Sequence, residues 1–89
     1  MAKELIFTET FKDNYKRLPK NLQERFDKKL ALLLENPRHP SLNIHRYHGK
    51  EDVWEGYVNQ KYRFTFSVMR DALLFRNIGP HGIVEKGTV

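Results

Sequence analysis

The chain has 89 residues and no cysteine, and its 16 lysines and arginines against 11 aspartates and glutamates give a net charge of +5. This length predicts one small domain over residues 1–89, and the lack of cysteine excludes disulfides and thiolate metal sites. No apolar run is long enough to span a membrane, and the start of the chain has no export signal, which predicts a cytoplasmic protein. The positive charge favours a polyanion or an acidic protein as partner.

The first half of the chain predicts a short strand followed by two helices. Residues 5–7 form an apolar run too short for a helix, and Thr8 is placed to cap the helix that follows. Apolar residues at helical spacing predict helices over residues 9–18 and about 20–35. Pro19 ends the first helix and can also take the first position of the second. The predicted apolar stripe of the second helix consists of Leu22, Phe26, Leu30, Leu33 and Leu34.

The second half predicts four strands, over residues 42–47, 53–58, 62–69 and 72–78. The third of these strands alternates large apolar with polar side chains, as a half-buried strand does. The breaks before and after it are short enough for hairpins. The order β-α-α-β-β-β-β predicts an α+β fold, with a helical hairpin on one face of a mostly antiparallel sheet. The predicted core face of the third strand consists of Tyr62, Phe64, Phe66 and Val68.

The other sheet face is left for solvent or a ligand, and its polar side chains are the candidate functional residues. Arg63 lies on that face because its neighbours in the strand point to the core. Glu55 and Tyr57 are assigned to the same face of the preceding strand, and Trp54 to the core. His81 follows the last strand. We therefore expect a carboxylate, a phenol, a guanidinium and an imidazole to converge on one concave surface.

This set of side chains suits metal-independent cleavage of RNA through its own 2′-hydroxyl. The reaction needs a base for the 2′ proton, cations for the crowded phosphorane and an acid for the departing 5′ oxygen. Glu55 is the predicted base, Arg63 the phosphate ligand and His81 the acid. Tyr57 is expected to stack on a nucleobase or to hydrogen-bond the phosphate. Further predicted RNA contacts are His45, Arg46, His48, Lys61 and Arg76.

These residues also have structural interpretations. Glu55 and Arg63 would fit a cross-strand surface ion pair, and His81 would fit an exposed loop. The histidines lack the spacing of a zinc site, and the chain has neither an HExxH motif nor a glycine-rich phosphate loop. We therefore predict no metal and no cofactor.

The pattern resembles the RelE/ParE superfamily of toxins from bacterial toxin–antitoxin systems. The resemblance covers nearly the whole chain, through the helical hairpin and the segments NPRHPSLNIHRYHG, VWEGYV, YRFTFSV and LLFRNIGPH. Its most specific parts are Tyr62-Arg63 and residues 78–81. It implies a ribosome-dependent mRNA endoribonuclease (mRNA interferase) of the RelE, YoeB, YafQ or HigB kind, which inhibits translation and is neutralised by an antitoxin. Within it, Arg63 matches an arginine at the scissile phosphate and His81 a residue with an acid or charge-stabilising role.

The chain departs from many of these toxins after His81, where Gly82 and Glu85 replace an acidic and an aromatic residue. Glu55 and Tyr57 also stand on a strand that carries lysines in some of them. Two other functions therefore stay open, a gyrase-directed ParE-like toxin and a non-catalytic RNA- or protein-binding module. The expected partners are the ribosome with its mRNA and an acidic antitoxin, which would cover the basic concave side or clamp the helical hairpin.

Overall fold

The computed structural model describes residues 4–47 and 52–82. Its elements are β1 (Glu4–Phe7), α1 (Glu9–Arg17), α2 (Lys20–Glu35), a 3-10 turn (Pro40–Leu42), β2 (His45–Arg46), β3 (Trp54–Tyr57), β4 (Tyr62–Val68) and β5 (Ala72–Pro80). This order confirms the predicted α+β fold. None of the helices in these residues combines the length and apolarity needed to cross a membrane.

The five strands form one sheet in the order β1-β5-β4-β3-β2. β1 runs parallel to β5, and every other neighbouring pair is antiparallel, which confirms the mostly antiparallel sheet. A bulge interrupts β5: Thr65 pairs with Asn77 while Phe66 pairs with Phe75, so Arg76 is the additional residue. Because side chains alternate between faces, the extra residue keeps Phe75 and Ile78 on the same side of the sheet.

The helical hairpin packs on one face of the sheet and forms an aromatic core with it. Phe26 of α2 meets the rings of Phe64 and Phe75 edge-on at centroid distances of 5.3 and 6.1 Å. Phe64 and Phe75 are fully buried. Large aromatic side chains supply much of the apolar area that a domain of this size needs to bury. The sheet face opposite the helices, which we call the polar face, carries the candidate site.

Two residues predicted to lie in the core are exposed. Val68 is 53% exposed because it ends β4, and Leu34 is 49% exposed near the end of α2. Leu33 is buried. Because adjacent helical residues point about 100° apart, Leu34 points to solvent. The stripe prediction is therefore wrong at Leu34, and the core-face prediction is wrong at Val68.

The start of α1 confirms the predicted cap, whereas Pro19 lies one position earlier than expected. The Phe11 amide donates to Thr8 Oγ1 at 3.0 Å, and the Thr8 hydroxyl donates to the Arg76 carbonyl at 2.7 Å. Pro19 keeps an extended backbone, and its carbonyl accepts the amides of Leu22 and Gln23. It is therefore the cap of α2 and not its first helical residue.

The predicted strand over residues 42–47 is wrong in its first half. Leu42 belongs to the 3-10 turn, and Asn43 follows in the left-handed conformation with φ 51°. Only His45 and Arg46 pair with β3. β5, in contrast, extends two residues beyond its predicted end at Ile78. The turn predicted over residues 48–52 lies mostly outside the described residues.

Candidate functional site

The strand register brings the predicted site residues together on the polar face. Tyr57 lies opposite Arg63, and Glu55 lies opposite Thr65 on one side and His45 on the other. Directly opposed residues of a sheet point to the same face. The alternative of an ion pair between Glu55 and Arg63 is therefore not formed, because each residue faces a different cross-strand neighbour.

Glu55 is a buried carboxylate bonded to His45. Its side chain is only 5% exposed, and Oε1 lies 2.7 Å from His45 Nε2. The other ring nitrogen of His45, Nδ1, lies 2.7 Å from the Asn43 carbonyl oxygen. A carbonyl only accepts hydrogen bonds, so Nδ1 must carry a proton. The 2.7 Å contact on the other side of the ring is a hydrogen bond between His45 Nε2 and Glu55 Oε1.

His81 lies on the other oxygen of the same carboxylate. Its Nδ1 is 3.8 Å from Glu55 Oε2, and its side chain is 39% exposed. The Nδ1 atom itself is buried, although the rest of the side chain is partly exposed. The His81 amide donates to the Lys61 carbonyl at 2.7 Å, which fixes the chain where β5 ends. The imidazole thus faces Glu55 with its Nδ1 edge at the point where β5 ends.

Arg63 is held on the ring of Tyr57. Its guanidinium carbon lies 3.6 Å from the ring centroid, within the range of a cation–π contact. Its Nε and one terminal nitrogen donate to the Gln60 carbonyl at 3.1 and 2.7 Å. These contacts orient the guanidinium and leave its other N–H groups to meet a ligand.

Gly79 provides open space on the polar face of β5. It pairs directly with Arg63, and a Cβ added to it would meet nothing within 4 Å. His81 follows two residues later. The open space therefore lies on the polar face, opposite Arg63 in register and two residues before His81 in the chain.

The other predicted RNA contacts lie on different parts of the sheet. Lys61 is exposed in the turn that anchors His81. Arg76 donates to Ser67 Oγ at 3.3 Å, farther along the polar face. Arg46 lies over the Trp54 ring at 5.0 Å, on the opposite face of β2 from His45. His48 lies outside the described residues.

Asn43 and Gln60 belong to the site but were missed by the sequence analysis. Each contributes a backbone carbonyl, one to His45 and one to Arg63. A carbonyl leaves no trace in the residue type, although asparagine is enriched in the left-handed conformation that Asn43 adopts. Within residues 4–47 and 52–82, no three histidine or carboxylate side chains are arranged to hold a metal ion.

The geometry supports proton transfer next to a bound anion. The buried carboxylate can stabilise a protonated imidazole, and the oriented guanidinium can neutralise a phosphate. These are the requirements of metal-independent phosphodiester chemistry.

No family model matches this sequence, and no curated protein sequence matches it. Solved structures, however, share its fold, and those most similar include toxins of the RelE and YafQ kind. The toxin–antitoxin complex DinJ–YafQ from E. coli matches with a TM-score of 0.80 and 13% identity, covering 94% of this chain and 98% of the other. A mutant of the E. coli toxin RelE in the free state matches with a TM-score of 0.73 and 24% identity, covering 96% and 90%.

An archaeal RelE–RelB complex from Pyrococcus horikoshii OT3 also matches, with a TM-score of 0.73 and 18% identity over 92% of this chain and 98% of that one. At these identities, the likeness shows a common fold. The fold that the resemblance implied is therefore confirmed, and the chain has the fold of RelE-like toxins.

Proposed function

We propose that the chain is the toxin of a toxin–antitoxin pair and acts as a metal-independent endoribonuclease that cuts mRNA on the ribosome. The observation that carries the proposal is that Arg63, held on Tyr57, shares the polar face of the sheet with the Glu55–His81 contact. The shared fold with RelE and YafQ toxins supports the same class of function. Its place of action would be the cytoplasm, where ribosomes translate mRNA.

In the proposed reaction the nucleophile is the RNA's own 2′ oxygen and not a water molecule. The 2′ oxygen attacks the adjacent phosphorus, the bond from phosphorus to the 5′ oxygen breaks, and a cyclic phosphate and a 5′-hydroxyl result. His81 protonates the departing 5′ oxygen, and Arg63 neutralises charge on the phosphorane. Glu55 was predicted to be the base for the 2′ proton. In the free protein, however, its two oxygens are covered by His45 and by the buried edge of His81.

RNA binding would follow the polar face. Arg63 already lies on Tyr57, so a nucleobase would stack on the outer side of that pair. Lys61 is exposed next to it and would contact phosphate, and Arg76 would extend the basic surface along the sheet. Arg46 lies on the other face and would contact RNA only beyond the edge of the sheet. His48 stays a prediction.

The proposed partner is an acidic antitoxin. Toxins of the same fold form complexes with DinJ and with RelB, and the net charge of +5 favours an acidic chain. By binding only the folded toxin, such a partner would also stabilise it.

The proposal is tested by inducing the chain alone and mapping transcript ends by primer extension, with translating and with ribosome-free reporter mRNA. We expect translation to stop and new 5′ ends to appear only in translated message, and we expect neither with Arg63→Ala. Uncut transcripts from a soluble, folded protein would exclude the endoribonuclease. DNA damage without mRNA cleavage would indicate a gyrase-directed toxin, and intact growth would indicate a binding module.

A further inference from the structure

We infer that Glu55 acts on His81 and not on RNA, and that His45 is the residue that holds Glu55 in place. The Asn43 carbonyl, His45, Glu55 and His81 would then form one chain of polar contacts that ends at the His81 ring. This inference rests on the proposed endoribonuclease and assigns the roles within its site.

Both ring nitrogens of His45 are already engaged within the protein. Nδ1 lies 2.7 Å from the Asn43 carbonyl and Nε2 lies 2.7 Å from Glu55 Oε1. Binding a phosphate or a base through either nitrogen would break one of these contacts. Although 45% of its side chain is exposed, the imidazole is held at both ends. His45 is therefore inferred to be a positioning residue, instead of the RNA contact predicted from the sequence.

Glu55 is too deeply buried to act as a base on RNA. Its side chain is 5% exposed, and Oε2 is completely buried. A base must come within hydrogen-bond distance of the proton that it removes, and a 2′-hydroxyl cannot reach this oxygen past the two imidazoles. Oε2 instead faces His81 Nδ1 at 3.8 Å. Such contacts are often long in free enzymes and shorten when substrate binds.

The contact with Glu55 affects both the charge and the orientation of His81. A carboxylate at Nδ1 favours the protonated ring and fixes its orientation, and the proposed acid is the Nε2–H of that ring. Among residues 4–47 and 52–82, the other titratable or charged side chains next to the cluster on this face are Tyr57 of β3, whose ring lies 6.1 Å from that of His45, and Arg63 of β4, which lies on Tyr57. In the complete step the 2′ oxygen bonds to phosphorus and its proton leaves to water. The 5′ oxygen departs with the proton from Nε2.

The decisive experiment is single-turnover cleavage by the full chain on ribosomes programmed with mRNA, measured as a function of pH. If Glu55 acts through His81, E55Q should cleave roughly tenfold more slowly with an unchanged KM, and the alkaline limb of its pH profile should move to lower pH. H45Q should move the same limb in the same direction. The double variant should be no slower than E55Q alone, because both residues act through one contact. H39Q, which replaces a histidine outside the cluster, is the matched control.

Other outcomes would overturn the inference. If E55Q cleaves a hundredfold or more slowly and loses the acidic limb, Glu55 is itself the base. If H45Q raises KM and leaves the pH profile unchanged, His45 is an RNA ligand. Thermal unfolding of each variant shows whether a loss of rate reflects a loss of fold.

A second measurement does not depend on cleavage. In the free protein, the ring nitrogen resonances of His81 should respond to E55Q and H45Q but not to H39Q. If they respond to neither substitution in the cluster, the contact chain does not exist. If they respond as expected while the wild-type chain cleaves no mRNA, the proposed function fails and the contact chain remains.

Discussion

Arg63 and Tyr57 face each other across the β3–β4 hairpin, and the guanidinium carbon of Arg63 lies over the Tyr57 ring, 3.6 Å from its centroid. The Gln60 carbonyl holds the same guanidinium from the turn. Two contacts thus immobilise a long side chain before any ligand arrives. Immobilising it in advance reduces the entropy cost of binding a phosphate.

Arg63→Ala should abolish cleavage and leave the fold intact. Loss of a charged contact to the transition state typically costs about 3 kcal/mol, a hundredfold or more in rate. Arg63→Lys should recover only part of this, because lysine keeps the charge but lacks the planar fork and the stacking surface. Cleavage rates and thermal unfolding would be measured together. Arg25→Ala is a matched control, since Arg25 also donates to a backbone carbonyl, that of Val58. Full toxicity of Arg63→Ala would refute the assignment.

Gly79 and Gly56 should respond in opposite ways to an added methyl group. At Gly79 the methyl would enter open space opposite Arg63 in register, so Gly79→Ala should leave stability within about 0.5 kcal/mol but slow cleavage by crowding the phosphate. At Gly56 a Cβ would collide with the Phe64 ring and lie 2.9 Å from Ile44 Cδ1. Gly56→Ala should therefore destabilise the domain by about 1–3 kcal/mol. Unaltered cleavage by Gly79→Ala and Gly79→Val would show that the phosphate binds elsewhere.

The sequence pattern predicted the sheet and its faces because alternation and helical spacing are local properties of the chain. The assignment of Glu55, Tyr57 and Arg63 to one face followed from parity alone, and the structure places them there. The same reasoning failed at Val68, since parity says nothing about where the covering helices end.

The contacts within the site could not be predicted in this way. The bond from His45 to the Asn43 carbonyl depends on a left-handed residue inside a segment that was predicted to be a strand. The position of His81 against Glu55 depends on β5 extending to Pro80, two residues beyond its apolar pattern. Both features arise from tertiary pairing, which residue type and spacing do not determine.

Phe64→Ala should destabilise the domain strongly. Phe64 is fully buried and contacts the rings of Phe26, Phe66 and Phe75. Removing a buried phenyl group costs about 3–5 kcal/mol, a large share of the stability of a small domain. Denaturant unfolding would show the loss as a lower midpoint. Val68→Ala, at the exposed end of the same strand, should change stability little. Equal effects of the two substitutions would contradict the assigned core face.

Association with the antitoxin should depend on salt. If the partner is acidic, electrostatic steering would accelerate its encounter with the basic chain, and added salt would screen that attraction. The association rate, measured over a series of salt concentrations, should fall while the dissociation rate changes less. A basic binding segment in the partner together with a salt-independent association rate would argue against electrostatic steering.

Tyr15 should make the stability of the fold depend on alkaline pH. Burial, together with the hydrogen bond that its hydroxyl donates to Asp27 Oδ1 at 2.8 Å, raises the pKa of Tyr15 from 10.0 to about 12. The folded state therefore favours the neutral phenol. The stabilisation that this provides is complete below pH 10 and is lost as the pH rises through about 12.

The measurement for Tyr15 is denaturant unfolding across that pH range, combined with ultraviolet titration of the phenolate. Tyr15→Phe should remove the late-titrating phenol, and the difference in unfolding free energy between wild type and Tyr15→Phe should shrink as the pH rises from 10 to 12. Asp27→Asn should move the pKa of Tyr15 back toward 10, because the carboxylate both accepts its hydrogen bond and repels the phenolate. If Asp27→Asn leaves the titration unchanged, burial alone sets the pKa.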